Sequence, residues 1–224
     1  MVGVRNGKKS FRYRRFIYAI ILANATSIVL FALRFLSTQD TLYWFLIWNL
    51  FLAWLPAFFA YFLIERLRNH RWSELWCIVL SILWLSFLPN SFYMVSDLIH
   101  LHTTGEINIV FDVVMFISFI INGFIAGYGS MIFIHREFQK RFYVYRAYVA
   151  MLVIILASSY AIYLGRTLRW NSWDIVLHPA GILFDVGSSV VDPIVYPQAI
   201  ITTGIFFVLI SSIYAVIWEL IALM

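Results

Sequence analysis

Charge is what this chain of 224 residues most conspicuously lacks: Asp, Glu, Lys and Arg make up 12% of it, about half of what soluble chains carry. Cysteine is nearly absent. Cys77 stands alone, which excludes an intrachain disulfide and any multi-cysteine metal centre. There is no Gly-rich phosphate loop, no G-x-S-x-G, no H-E-x-x-H and no cysteine pair for haem or iron–sulfur. Nucleotide-driven work would therefore need a partner subunit. No fixed-period repeat and no low-complexity linker divides the chain. The net charge of +5 is modest, and it sits beside apolar runs rather than on a basic face. Nucleic acid is thus not an expected partner.

Hydrophobic residues fill 63% of the sequence, more than a soluble globule of this size can hide. They fall into six runs of bilayer length, at 16–35, 42–64, 75–96, 107–134, 147–165 and 198–223. None alternates as a barrel strand would. The expected fold is all-α: a polytopic bundle of six transmembrane helices, with a re-entrant or interfacial outer segment at 175–191. His178, Pro179, Gly181, Asp185 and Gly187 argue against a seventh crossing there. Residues 1–15 read as a basic cytoplasmic tail and 16–224 as a single transmembrane domain. The apolar run after the tail is too long for a cleaved signal and favours an uncleaved anchor. Thirteen of the sixteen Lys and Arg precede span one or lie between spans two and three or four and five. Only Arg34, Arg166 and Arg169 fall near the other face. That bias places the amino terminus in the cytoplasm of a multi-pass plasma-membrane protein; the charges leave the side of the carboxyl end open, and we expect it to be cytoplasmic.

A bilayer disfavours ionisable groups unless they face protein or water, so each one calls for a reason. In span three Ser86, Asn90, Tyr93, Asp97 and His100 share a helical stripe about 80° wide. Pro89 cannot bond to the carbonyl of Leu85 and should kink that helix. In span four Asn108, Asp112, Asn122 and Ser130 share a second stripe, flanked by Gly123-x-x-x-Gly127, a spacing that lets backbones approach. Arg166 ends span five, followed by Asp174 in the outer loop. The expectation is a polar cavity open to the outside, with Asn90, Tyr93, Asp97, His100, Asp112, Arg166 and Asp174 as ligand-binding residues.

Two readings of this cluster stand side by side. Asp97-x-x-His100-x-His102, with Asp112 as a fourth donor, offers ligands for a divalent metal such as zinc. A water on that metal would be activated for hydrolysis. Alternatively the histidines lie in the wet interface while Asp97 pairs locally. Arg166 can fork onto a carboxylate or phosphate of a ligand, or pair with Asp97, Asp112 or Asp174.

The strings Phe87-Leu88-Pro89-Asn90, Tyr93-x-x-x-Asp97-Leu98-Ile99-His100-Leu101 and Asn49-Leu50-x-Leu52-Ala53-Trp54-x-Pro56 are distinctive. So is Tyr163-Leu164-Gly165-Arg166-x-x-Arg169-Trp170-Asn171-Ser172-Trp173-Asp174. Together they resemble a bacterial multispanning membrane family catalogued as domain of unknown function 1361. The resemblance implies a helical fold in a bacterial cytoplasmic membrane, and it carries no catalytic role. Three functions remain open: a ligand-binding or transport-associated subunit taking a small polar or anionic ligand, a membrane-embedded metal-dependent hydrolase, and a non-catalytic assembly partner of another membrane subunit. Membrane lipid is an expected contact in all three.

Overall fold

A computed structural model describes residues 3–101, 109–192 and 194–223. They form α1 (Gly3–Thr38), α2 (Phe45–Leu67), α3 (Leu75–Tyr93), a 3-10 turn (Met94–His100), α4 (Ile109–Arg141), α5 (Val144–Thr167), α6 (Asp174–Leu177), α7 (Pro179–Val191) and α8 (Pro197–Ala222). Among the described residues there is no strand. Six of these segments are long and apolar enough to cross a membrane: the chain is an all-α, multi-pass bundle. Its outward faces explain why. Trp48, Phe51, Phe58 and Phe62 on α2 are exposed, and so are Ile200, Ile201 and Ile205 on α8. Helices apolar all round need hydrocarbon as their solvent.

The elements differ from the sequence reading mainly at their ends. α1 runs back through the basic tail to Gly3, since Lys and Arg are good helix formers and nothing there breaks the helix. α4 continues past residue 134 to Arg141, where Glu137 accepts from Lys140 at 2.7 Å and Arg141 at 2.8 Å. Such pairs extend a helix into the interface. The segment 175–191 is shorter than a span, as expected: α7 has 13 residues, begins with Pro179 at its first turn, and packs over Trp170.

α2 packs on α3 and α4, α4 on α1 and α3, and α5 on α3 and α8. One end of the bundle carries the basic turns. There Arg141 donates to the carbonyl of Leu67 (2.9 Å) and Arg66 donates to Glu74 (2.5 Å). The Arg66 guanidinium holds the Glu74 carboxyl below the ordinary carboxylate range. The opposite, distal end carries the 3-10 turn, the last turn of α5, α6 and α7. In the basic half His135 bonds Tyr214 at 2.7 Å and stacks on Trp218 with ring centroids 3.9 Å apart, tying α4 to α8.

α3 and α4 approach closely at two glycines. A Cβ at Gly123 would stand 2.7 Å from the backbone oxygen of Ser91, and one at Gly127 would stand 2.7 Å from the Ser91 Cβ. The G-x-x-x-G pair therefore seats α3 directly on α4. Gly123→Ala forces a methyl against a main-chain carbonyl that cannot step aside. It is expected to cost about 1–3 kcal/mol, read as a lower melting temperature in detergent. An unchanged melting temperature would show that the two helices are apart at this depth.

Candidate binding site

Pro89 lies inside α3 and is buried, and the helix passes through it for one more turn before tightening at Met94. The tighter winding re-aims the side chains beyond. Between Tyr93 and Asp97, four residues each gain about 20° over α-helical winding, roughly 80° in all. Asp97 thereby leaves the stripe of Ser86, Asn90 and Tyr93. Side chains three apart eclipse in a 3-10 helix, so Asp97 and His100 sit one above the other and face α2. There they meet residues four apart on one face of α2. Asn49 donates to the Asp97 carboxylate at 2.8 Å, and the Phe45 ring lies edge-on to His100, centroids 5.4 Å apart.

From the other side α5 delivers Arg166, whose guanidinium donates to Nε2 of His100 at 3.3 Å. Past the helix end Arg169 takes a left-handed φ of 61°, which turns the chain so that Trp170 N–H donates back to the carbonyl of Leu164 (3.2 Å). The following loop folds over the distal end. Trp170 donates to Asp185 of α7 (2.7 Å), and Ser172 accepts from Asn90 of α3 (2.9 Å). Asp174 accepts from the Asn171 backbone at 2.7 Å, so it shapes this loop.

These pieces enclose a cavity of about 730 Å³. Its floor is Ser86, Pro89, Asn90 and Tyr93 of α3, and its walls are Trp48, Asn49 and Leu52 of α2 and Ala161, Leu164, Gly165 and Arg166 of α5. His100 and the loop from Arg169 to Trp173 close the distal end. Of the residues the sequence singled out, Asn90, Tyr93, His100 and Arg166 line it together. Asp97 lies behind Asn49 and is only 2% exposed. Asp112 and Asp174 do not line the cavity.

Asp112 is the clearest departure from expectation. It is not turned toward α3: it holds Arg34 of α1 at 2.8 Å, with both side chains at most 3% exposed. The cavity accordingly lies between α2, α3 and α5, and α4 contributes nothing to it. Because Gly123 and Gly127 bring α4 into backbone contact with α3, no space is left between those two polar stripes. The proposed metal ligands are likewise parted: Asp97 is taken by Asn49 and Asp112 by Arg34, and His102 lies outside the described residues. Among the described residues no three His, Cys, Asp or Glu side chains converge. Sequence reasoning gave Trp48, Arg169, Trp170 and Ser172 no binding role. For Arg169, Trp170 and Ser172 the signal was the loop string itself, which places residues 169–173 against the cavity as a block; Trp48, on α2, had none.

The charge of the cavity is one-sided. Among the described residues no carboxylate belongs to its lining, although Asp97, behind Asn49, is near enough to Arg166 for their charges to interact. Among the described residues neither Arg166 nor Arg169 has a carboxylate within 4 Å. The two guanidiniums supply the cavity's charge, whereas the Asn49 and Asn90 amides and the Trp170 indole already donate to Asp97, Ser172 and Asp185.

The family model described as "Protein of unknown function (DUF1361)" matches residues 48–213, well over half of the chain. Every cavity-lining residue falls inside that segment, whereas Arg34 falls outside it. No curated protein and no solved structure matches the chain.

Proposed function

Because the chain belongs to this family of unknown function and inherits no activity from it, we propose from the cavity alone that it is a membrane-embedded binding subunit for an anionic ligand. The observation that carries this reading is a lining that, among the described residues, has two guanidiniums and no carboxylate. A guanidinium presents paired N–H donors that match the oxygens of a phosphate or carboxylate, and wall residues such as Leu52 and Ala161 keep water from screening that attraction. The excess of Lys and Arg at the opposite end supports a cytoplasmic amino terminus, which turns the cavity to the outside, where a binding or transport-associated subunit would collect its ligand.

The test uses inorganic phosphate as probe, with the protein in detergent and in sealed right-side-out vesicles. Saturable binding is expected in both, weakened about tenfold or more by Arg166→Ala, since a charged hydrogen bond is worth about 1.5–3 kcal/mol. Binding that is unsaturable, or indifferent to Arg166→Ala, overturns the reading; binding in detergent alone reverses the orientation.

A second reading, helix locking, is favoured for two of the candidates only. Asp97 with Asn49 joins the 3-10 turn to α2, and Asp112 with Arg34 joins α4 to α1. One oxygen of each is committed to a neighbouring helix, so their part in any binding is to position the walls.

A further inference from the structure

Resting on the anion-binding reading, we propose that the ligand is amphipathic: a phosphate-headed lipid whose head meets Arg166 and Arg169 while its chains lie in a cleft along α3. The cavity is one end of a longer feature. α2 and α5 flank α3 and do not pack closely on each other, so the face of α3 between them is uncovered. On that face Ser86, Pro89 and Tyr93 share one side with Leu85 and Ile82, given 100° per residue. Leu85 is 38% exposed and Ile82 53% exposed. The floor therefore turns apolar at its inner end, where Leu85 and Ile82 lie about 12 and 16 Å below Tyr93 at 1.5 Å per residue. Leu52 and Ala161 line the two sides where the polar and apolar parts join. Both guanidiniums, Arg166 and Arg169, are at the distal end.

A free phosphate would use only that end. It would leave the apolar remainder of the cavity to be filled by water or acyl chain. A lipid phosphate satisfies both parts at once, and reaches them laterally from the leaflet without crossing the Arg169–Trp173 loop. Charge complementarity selects an anionic headgroup. The continuity between the cavity and its apolar inner end selects a ligand with chains.

Three probes separate the sources of the phosphate: dioleoyl phosphatidic acid, inorganic phosphate, and dioleoylglycerol as chains without charge. Binding is followed by native mass spectrometry of the full chain released from an uncharged detergent, with competition between probes. Phosphatidic acid is expected to bind at least about tenfold tighter than either half alone, since one molecule engages the guanidiniums and the cleft together and the second contact is made at high effective concentration. Ala161→Trp, which fills the cleft where the walls meet, is expected to lower phosphatidic acid affinity about tenfold or more. If that variant does not fold, Leu52→Trp obstructs the same place from the opposite wall. Phosphatidic acid binding no tighter than phosphate, or unaltered by either tryptophan, overturns the lipid assignment and leaves the anion site standing. Failure of both anions to bind removes the underlying reading as well.

Discussion

Asp112→Ala is expected to destabilise the bundle by about 3–5 kcal/mol, the usual consequence of stranding one member of a buried ion pair. In the native chain the Arg34 guanidinium is 3% exposed and lies 2.8 Å from Asp112. It also donates to Thr38 and lies over the Tyr43 ring, 5.3 Å from the centroid. Removing the carboxylate leaves a full positive charge buried at 3% exposure, with a hydroxyl and a ring in place of its counter-ion. The reciprocal change, Arg34→Leu, leaves the Asp112 carboxylate buried instead and should be as damaging. The double variant Arg34→Leu with Asp112→Ala discriminates between explanations. Since neither charge is then stranded, it should recover most of the loss. Thermal unfolding of the four proteins in one detergent checks this. Additive losses in the double variant would mean that the two side chains do not depend on each other.

That pair also marks the limit of what the sequence made legible. The spans were readable because hydrocarbon thickness translates directly into run length, and Asp112 stood out as an acid inside one of them. Arg34 was visible only as a basic residue on the unexpected side of the charge count. Nothing in a periodicity links residues 78 positions apart, so the partnership waited for three dimensions. The Gly123–Gly127 spacing was recognised correctly as a site of close approach, but its consequence runs opposite to expectation. A contact in which an added Cβ would meet main chain at 2.7 Å closes the space between α3 and α4 and displaces the cavity to the other side of α3. The aim of Asp97 was lost for a different reason. A stripe drawn at 100° per residue holds only while the helix stays α, and the change to 3-10 winding after Tyr93 is set by packing around Pro89 and Met94, which composition does not encode.

Arg169 offers the sharpest test of function against stability. At φ 61° it occupies a backbone region that costs a non-glycine residue about 1–3 kcal/mol, and Gly adopts it freely. A purely structural turn would gain by carrying Gly there. Arg169→Gly is therefore expected to raise the melting temperature while weakening phosphate binding, two effects of opposite sign from one substitution. Combined with Arg166→Ala, which removes the second guanidinium, it should reduce affinity at least about 100-fold, taking about 1.5–3 kcal/mol for each charged contact. The stability gain should survive in the double variant, because the strain at 169 does not depend on the side chain at 166. If Arg169→Gly is more stable and binds phosphate as well as the native chain, its guanidinium is an ornament of the loop and Arg166 alone defines the anion site. If it is less stable, the left-handed turn is held by the side chain, and the strain argument fails at its first step.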